Sequence, residues 1–182
     1  MNDNDKLYRY LFQNRAVRGE WVRLNQTFSD TLNTHLYPKA VQNLLGEMMV
    51  ATNLLTATLK FSGNITLQIQ GNGPLKLALV NGTDDQKIRA LARLQGEIRE
   101  DMNLMEMVGK GVLVITIAPM EGERYQGVIS LDKPTVTECL EEYFARSEQL
   151  QTYLLIRTGE FNGEPVAAGM LLQVMPDGSG SP

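Results

Sequence analysis

Hydrophobic positions along the chain change period in mid-sequence, and the change divides it into elements. From Pro38 to Lys60, winding at 100° per residue gathers Ala40, Val41, Leu44, Leu45, Met48, Ala51, Leu55 and Leu59 on one broad arc. Gln42, Gly46, Asn53, Thr56 and Lys60 fall opposite. This predicts a long helix with a core-facing side and a polar back, from which Met49 projects. Pro38 suits a first helical position, where its missing N–H is no loss. After Ser62-Gly63-Asn64 the period falls to two: Ile65, Leu67 and Ile69 alternate with Thr66, Gln68 and Gln70, a half-buried strand. Gly71-Asn72-Gly73-Pro74 turns the chain into a second strand, Leu75–Val80, and Asn81-Gly82 predicts a tight hairpin. Lys87–Leu94 alternates as a strand, although a short helix fits the same residues.

The remaining segments follow the same logic. Leu7–Leu24 reads as two short strands broken near Gln13-Asn14, followed by a short helix around Phe28–Asn33. Leu104–Val108 suits another short helix, and the β-branched run Val112–Ala118 a buried strand. Glu121-Gly122-Glu123 turns into a strand at Tyr125–Leu131. Thr135, with Glu138 three residues on, forms a capping box for a second marked helix, whose inward face is Val136, Cys139, Leu140, Tyr143 and Phe144. Tyr153–Thr158 and Met170–Met175 close the chain as strands joined across Asn162-Gly163, and residues 177–182 have linker composition. The expected fold class is α+β: largely antiparallel sheets packed with a long central helix and a second helix in the C-terminal half. Residues 1–176 form the expected domain.

Composition narrows the function. A formal charge of −4 and a pI of about 5.1 argue against nucleic acid as partner, which calls for concentrated Lys and Arg. Arg15, Arg18 and Arg23 are the nearest approach to a basic cluster. The apolar runs fall far short of the ~20 residues that span a bilayer, so no membrane role is expected. The N-terminus is acidic, the reverse of a secretory signal, and a single cysteine, Cys139, fits a reducing compartment: the cytoplasm.

Catalytic chemistry is hard to assemble. His35 is the only histidine and stands beside Leu36-Tyr37-Pro38 in a loop, with no nucleophile elbow nearby. One cysteine and one histidine make no zinc site. Gly71-Asn72-Gly73 lacks the third glycine and the helix of a phosphate loop. Glu123, Arg124 and Tyr125 are the residues a small-molecule pocket would use. Met102, Met105 and Met107 cluster beside Leu104, and Met49 projects from the long helix. Flexible thioethers suit surfaces that repack around varied partners, although methionine also fills cores. These five, Met49, Met102, Leu104, Met105 and Met107, are the candidate contact residues of a binding module.

Six segments then show a resemblance. Arg15-Ala16-Val17-Arg18-Gly19-Glu20, Leu54-Leu55-Thr56-Ala57-Thr58-Leu59-Lys60-Phe61 and Gln68-Ile69-Gln70-Gly71-Asn72-Gly73-Pro74-Leu75 resemble the 33 kDa chaperonin family of redox-regulated bacterial holdases. So do Gly122-Glu123-Arg124-Tyr125-Gln126-Gly127, Tyr143-Phe144-Ala145-Arg146-Ser147-Glu148-Gln149 and Ala167 to Pro176. The resemblance implies a non-enzymatic, ATP-independent chaperone that binds unfolding proteins under oxidative stress and dimerises when active. It also implies a C-terminal module of four cysteines that binds zinc when reduced. Those cysteines are absent here, so this chain reads as the core alone, and Ala168 stands where the pattern suggests a second glycine. The expectation is a holdase core. The alternatives are a dimerisation scaffold whose missing linker binds the clients, or a small-molecule or enzymatic domain.

Overall fold

The computed structural model describes residues 5–13, 15–147 and 151–175; the linker-like tail at 177–182 lies outside the described residues. Strands β1 (Lys6–Leu11) and β2 (Val17–Leu24) lead into helices α1 (Gln26–Leu32) and α2 (Lys39–Ala57). Then come β3 (Gly63–Gly71), β4 (Leu75–Thr83), β5 (Ile88–Leu94), the short α3 (Leu104–Val108), β6 (Gly111–Pro119) and β7 (Tyr125–Ser130). Helix α4 (Val136–Ser147) and the hairpin β8 (Thr152–Phe161) and β9 (Glu164–Val174) finish the order. All pairings are antiparallel, in a four-stranded sheet β1-β2-β9-β8 and a five-stranded sheet β5-β4-β3-β6-β7. The expected α+β class and both long helices are present.

Helix α2 lies between the sheets, touching β2, β8 and β9 on one side and β3, β4 and β5 on the other. That position corrects the polar back drawn for it. Gly46, Asn53 and Thr56 are buried, and so is every residue from Met48 to Ala57, Met49 among them. Over that stretch the helix is enclosed on all sides and is core throughout, while Asn43 nearer its start stays exposed. Its hydroxyls are satisfied internally: Thr52 Oγ1 donates to Met48 O at 2.8 Å and Thr56 Oγ1 to Asn53 O at 2.9 Å.

The second correction concerns Asn81-Gly82. These residues continue β4, and the turn falls at Asp84–Lys87, where Gln86 takes φ 64°. Gly82 serves packing: a Cβ there would stand 2.8 Å from Thr52 Cγ2. Gly169 does the same from the opposite sheet, its imagined Cβ 2.6 Å from Val50 Cγ1. Ala168, by contrast, lies in register with Arg23 and Arg157, and the close approach falls to its neighbour. The hairpin read at Asn162-Gly163 is present, with φ 54° and 80°.

Helix α4 begins as expected, Glu138 N donating to Thr135 Oγ1 at 3.2 Å. A second anchor comes from α2, whose Glu47 Oε1 accepts from Thr137 N at 2.7 Å and Thr137 Oγ1 at 2.6 Å. Glu141 on α4 accepts from Leu154 N at 2.7 Å, which occupies a donor on edge strand β8.

One buried carboxylate stands out. Glu20 on β2 is 3% exposed, and its Oε2 has no partner among the described residues. Burial pushes its carboxyl up to about 7, against the opposing pull of Arg18 and of Arg9, whose Nε stands 4.0 Å away. Because the folded value lies above the ordinary 4.5, Glu20 favours the fold most at low pH, and that contribution is lost as pH rises through about 7. Glu20→Gln should therefore gain melting temperature over the parent at pH 8 and gain less at pH 5; an equal gain at both values would contradict this. Gly82→Ala and Gly169→Ala should each destabilise by about 1–3 kcal/mol in urea titration, because a methyl group enters a filled helix–sheet contact.

Candidate functional site

Residues two apart on a strand share a face. On the inner side of the four-stranded sheet, Leu7, Val22, Gly169 and Ile156 pair in succession across the strands. The other side carries Tyr8, Trp21, Met170 and Leu155 in one row, and Tyr10, Gly19, Leu172 and Tyr153 in the next. Of these, Tyr8, Tyr10, Met170, Leu155 and Tyr153 are exposed, Tyr153 by 60%, and Phe12 beyond β1 joins them. The rings of Tyr8 and Trp21 lie 5.4 Å apart. Gly19 lets Leu172 and Phe12 close over the strand, since a Cβ there would come within 3.0 Å of Leu172 Cδ2. Tyr8, Tyr10, Phe12, Trp21, Met170 and Leu172 line a shallow basin of about 500 Å³ at its centre. A contiguous exposed patch of this kind marks an interaction surface, and tyrosine and tryptophan combine apolar area with a polar tip.

The candidate contact residues drawn from sequence fall elsewhere. Met49 is 0% exposed inside α2, and Leu104 and Met107 are buried where α3 meets the five-stranded sheet. Met102 is half-buried, and Met105 alone of the five is exposed, at 41%. Met102, Leu104 and Met107 do meet along a cleft of about 440 Å³ between α2, α4 and β8, but Glu47, Glu100, Glu138 and Glu141 share its walls. The cleft is therefore a polar, acid-rimmed feature, and the apolar surface is the sheet face. A sequence signal for that face existed. Tyr8 and Tyr10 alternate with Leu7 and Leu11, while Tyr153-Leu154-Leu155-Ile156 and Met170-Leu171-Leu172 run apolar without a break. A strand apolar on both faces must cover both or expose one.

Catalytic groups do not converge. His35 is exposed, with Nδ1 3.1 Å from Thr34 Oγ1. Cys139 is buried on α4, and burial pushes its thiol pKa up, away from a reactive thiolate. Tyr125 lines a cavity of about 310 Å³ with Tyr143, Phe144 and Leu55, whereas Glu123 and Arg124 lie exposed outside its walls. Among the described residues no group of three His, Cys, Asp or Glu could hold a metal ion. The zinc that the resemblance implies for a four-cysteine module has no matching donors here. No helix among the described residues is long and apolar enough to cross a membrane.

Comparison with known proteins agrees with the resemblance. The profile of the Hsp33 protein family matches residues 5–181. A 33 kDa chaperonin of Actinobacillus succinogenes is 85% identical over 180 residues, 99% of this chain and 62% of that protein. One of Haemophilus influenzae is 82% identical, with 61% of its length covered. The chain thus spans a little over three fifths of these curated relatives. A crystal structure of a 33 kDa chaperonin from Thermotoga maritima superposes with a TM-score of 0.83 at 22% identity, covering 94% of this chain and 61% of that one, and it shows the fold.

The buried Cys139 thiol should react with an aromatic disulfide reagent only as fast as the protein opens, and at once in denaturant. Immediate, stoichiometric labelling of the folded protein would place the thiol in a different environment.

Proposed function

The chain belongs to the Hsp33 protein family, and on that premise we propose that it is the client-holding core of a chaperone, with the outer face of the four-stranded sheet as the client surface. The single observation that carries this reading is the exposed apolar face itself, on a protein whose core is otherwise filled. Its side chains include Tyr8, Tyr10, Phe12, Tyr153, Leu155 and Met170. Apolar burial has no directional requirement, so such a face accepts unrelated unfolding chains without chemistry or nucleotide. The similar proteins are named chaperonins, in keeping with a binding role and with no catalysed reaction.

We assign the oxidative-stress response of the proposal to the part of the longer relatives that this chain does not span, because Cys139 alone offers no redox pair. Work in the cytoplasm and pairing with a second copy belong to the same proposal. A clean test is light scattering from a chemically unfolded client, with and without peroxide. The chain should suppress aggregation equally under both conditions. Tyr8→Ser combined with Tyr153→Ser should lose at least half of that suppression while the melting temperature stays close to the parent, since exposed substitutions usually act within about 0.5 kcal/mol. No suppression in either condition would reduce this domain to a scaffold and move client binding to the part of the family protein beyond it.

A further inference from the structure

Next to the two apolar rows runs a row of another kind. Lys6, Arg23, Ala168 and Arg157 are successive partners across β1, β2, β9 and β8, and they share the parity, and so the face, of Tyr8, Trp21, Met170 and Leu155. Rows on one face are about 7 Å apart, so these cations stand within one Debye length, ~10 Å at 0.1 M salt, of the apolar basin. Among the described residues none of the three forms an ion pair; the pairs present involve Arg9, Lys39, Lys87, Arg99, Lys133 and Arg146. Arg23 instead stands over the Phe161 ring at 5.2 Å, and Arg157 Nη1 donates to Ile156 O at 2.8 Å. Lys6 and Arg157 are exposed. The one acid these strands set on that face is Glu164, beyond the row at the hairpin tip, paired with Phe161.

At the opposite end the basin is bordered by Phe12, Val17 and Val174, and the exposed Arg15 stands in the turn that joins Phe12 to Val17. The surface is therefore unevenly charged: aromatic and aliphatic over most of its area, with three cations in register along one border against the single Arg15 beyond the other, in a chain whose formal charge is −4. Three unpaired cations in register on an acidic protein are a complementary surface for carboxylates.

We propose that this border selects the segments the face takes: apolar stretches of polypeptide flanked on one side by Asp or Glu. The proposal rests on the sheet face being the client surface and adds to it a charge preference and a direction of docking. The apolar side chains cover the Tyr8–Trp21–Met170–Leu155 and Tyr10–Gly19–Leu172–Tyr153 rows, and the acidic flank lies over Lys6, Arg23 and Arg157. Exposed pairs are individually weak, so the border biases the choice without being strong enough to hold a segment alone.

Trp21 is the single tryptophan of the chain and sits in the first apolar row, so its fluorescence reports occupancy directly. The probes are a short peptide of alternating leucine and serine ending in a run of glutamates, a twin ending in glutamines and a twin ending in lysines. The glutamate peptide should shift Trp21 emission with a Kd on the order of tenfold below that of the glutamine twin at low salt, about 1.4 kcal/mol. The gap should close toward 1 M salt, where the Debye length falls to ~3 Å. The double variant K6E/R157E, checked for an unchanged melting temperature, should prefer the lysine twin. Equal affinity for the glutamate and glutamine peptides, or an unchanged preference in the double variant, overturns the charge selection while leaving the client face in place. If no peptide moves Trp21 emission, the client face itself is wrong. A single-stranded oligonucleotide that shifts Trp21 in preference to the glutamate peptide also overturns the proposal, by assigning the cations to phosphates.

Discussion

Two sheets closing on one helix is the constraint from which the rest of the architecture follows. Helix α2 offers apolar side chains to both sheets, and each sheet commits one face to it. Contact at that closeness needs Gly82 on one side and Gly169 on the other, where even a methyl group would meet Thr52 or Val50. Fully burying a Leu, Met or Val side chain contributes roughly 1.5–3 kcal/mol. Leu45, Met48, Met49, Val50 and Leu54 are all fully buried, so α2 contributes a large share of core stability. Glu47 then carries its influence outward by anchoring the start of α4 through Thr137.

Once the inner faces are committed, each sheet has one face left for solvent, and the two are treated differently. On the five-stranded sheet the central strand β3 turns Asn64, Thr66, Gln68 and Gln70 outward, with Asn81 Nδ2 donating to Thr66 Oγ1 at 2.7 Å, while Leu79, Val114 and Val128 stand beside them on the same face. On the four-stranded sheet the central rows are aromatic and aliphatic, Tyr8, Trp21, Met170 and Leu155 beside Tyr10, Leu172 and Tyr153, with large rings where the other sheet sets amides and smaller aliphatics. Packing gives no reason for that contrast, because the core is filled without those side chains. The exposed face therefore reads as functional, and the Hsp33 family membership supplies a context in which an exposed apolar face has a use.

Much of the fold was legible because its signals are local. The alternation of Ile65, Leu67 and Ile69, the Thr135 cap on Glu138 N and the Asn162-Gly163 turn each act within a few residues, and each is present in the structure. The errors share a cause: the deciding partner was distant in sequence. Asn81-Gly82 has the local chemistry of a hairpin, but its glycine answers to Thr52 thirty residues away. Asn53 and Thr56 look like the polar side of an amphipathic helix until a second sheet is seen to cover them. The methionines illustrate the same limit, since Met49 and Met107 fill the core while the exposed surface is built from Tyr8, Tyr153 and Met170. No local pattern says that β2 will pair with β9, and without that pairing the face does not exist.

That pairing also has a history in time. Val17–Leu24 finds its partner Ala167–Val174 only after roughly 140 further residues have been made, on the order of 10 s of synthesis at bacterial rates. Until then Tyr8, Tyr10 and Trp21 belong to a two-stranded ribbon with a missing neighbour, and such long-range closure is slow to form. The outer face of the four-stranded sheet is thus among the last parts of the molecule to be assembled. A newly made copy passes through a period in which it is itself an incomplete β-sheet with bare aromatic side chains, the kind of chain that the proposed client face would hold.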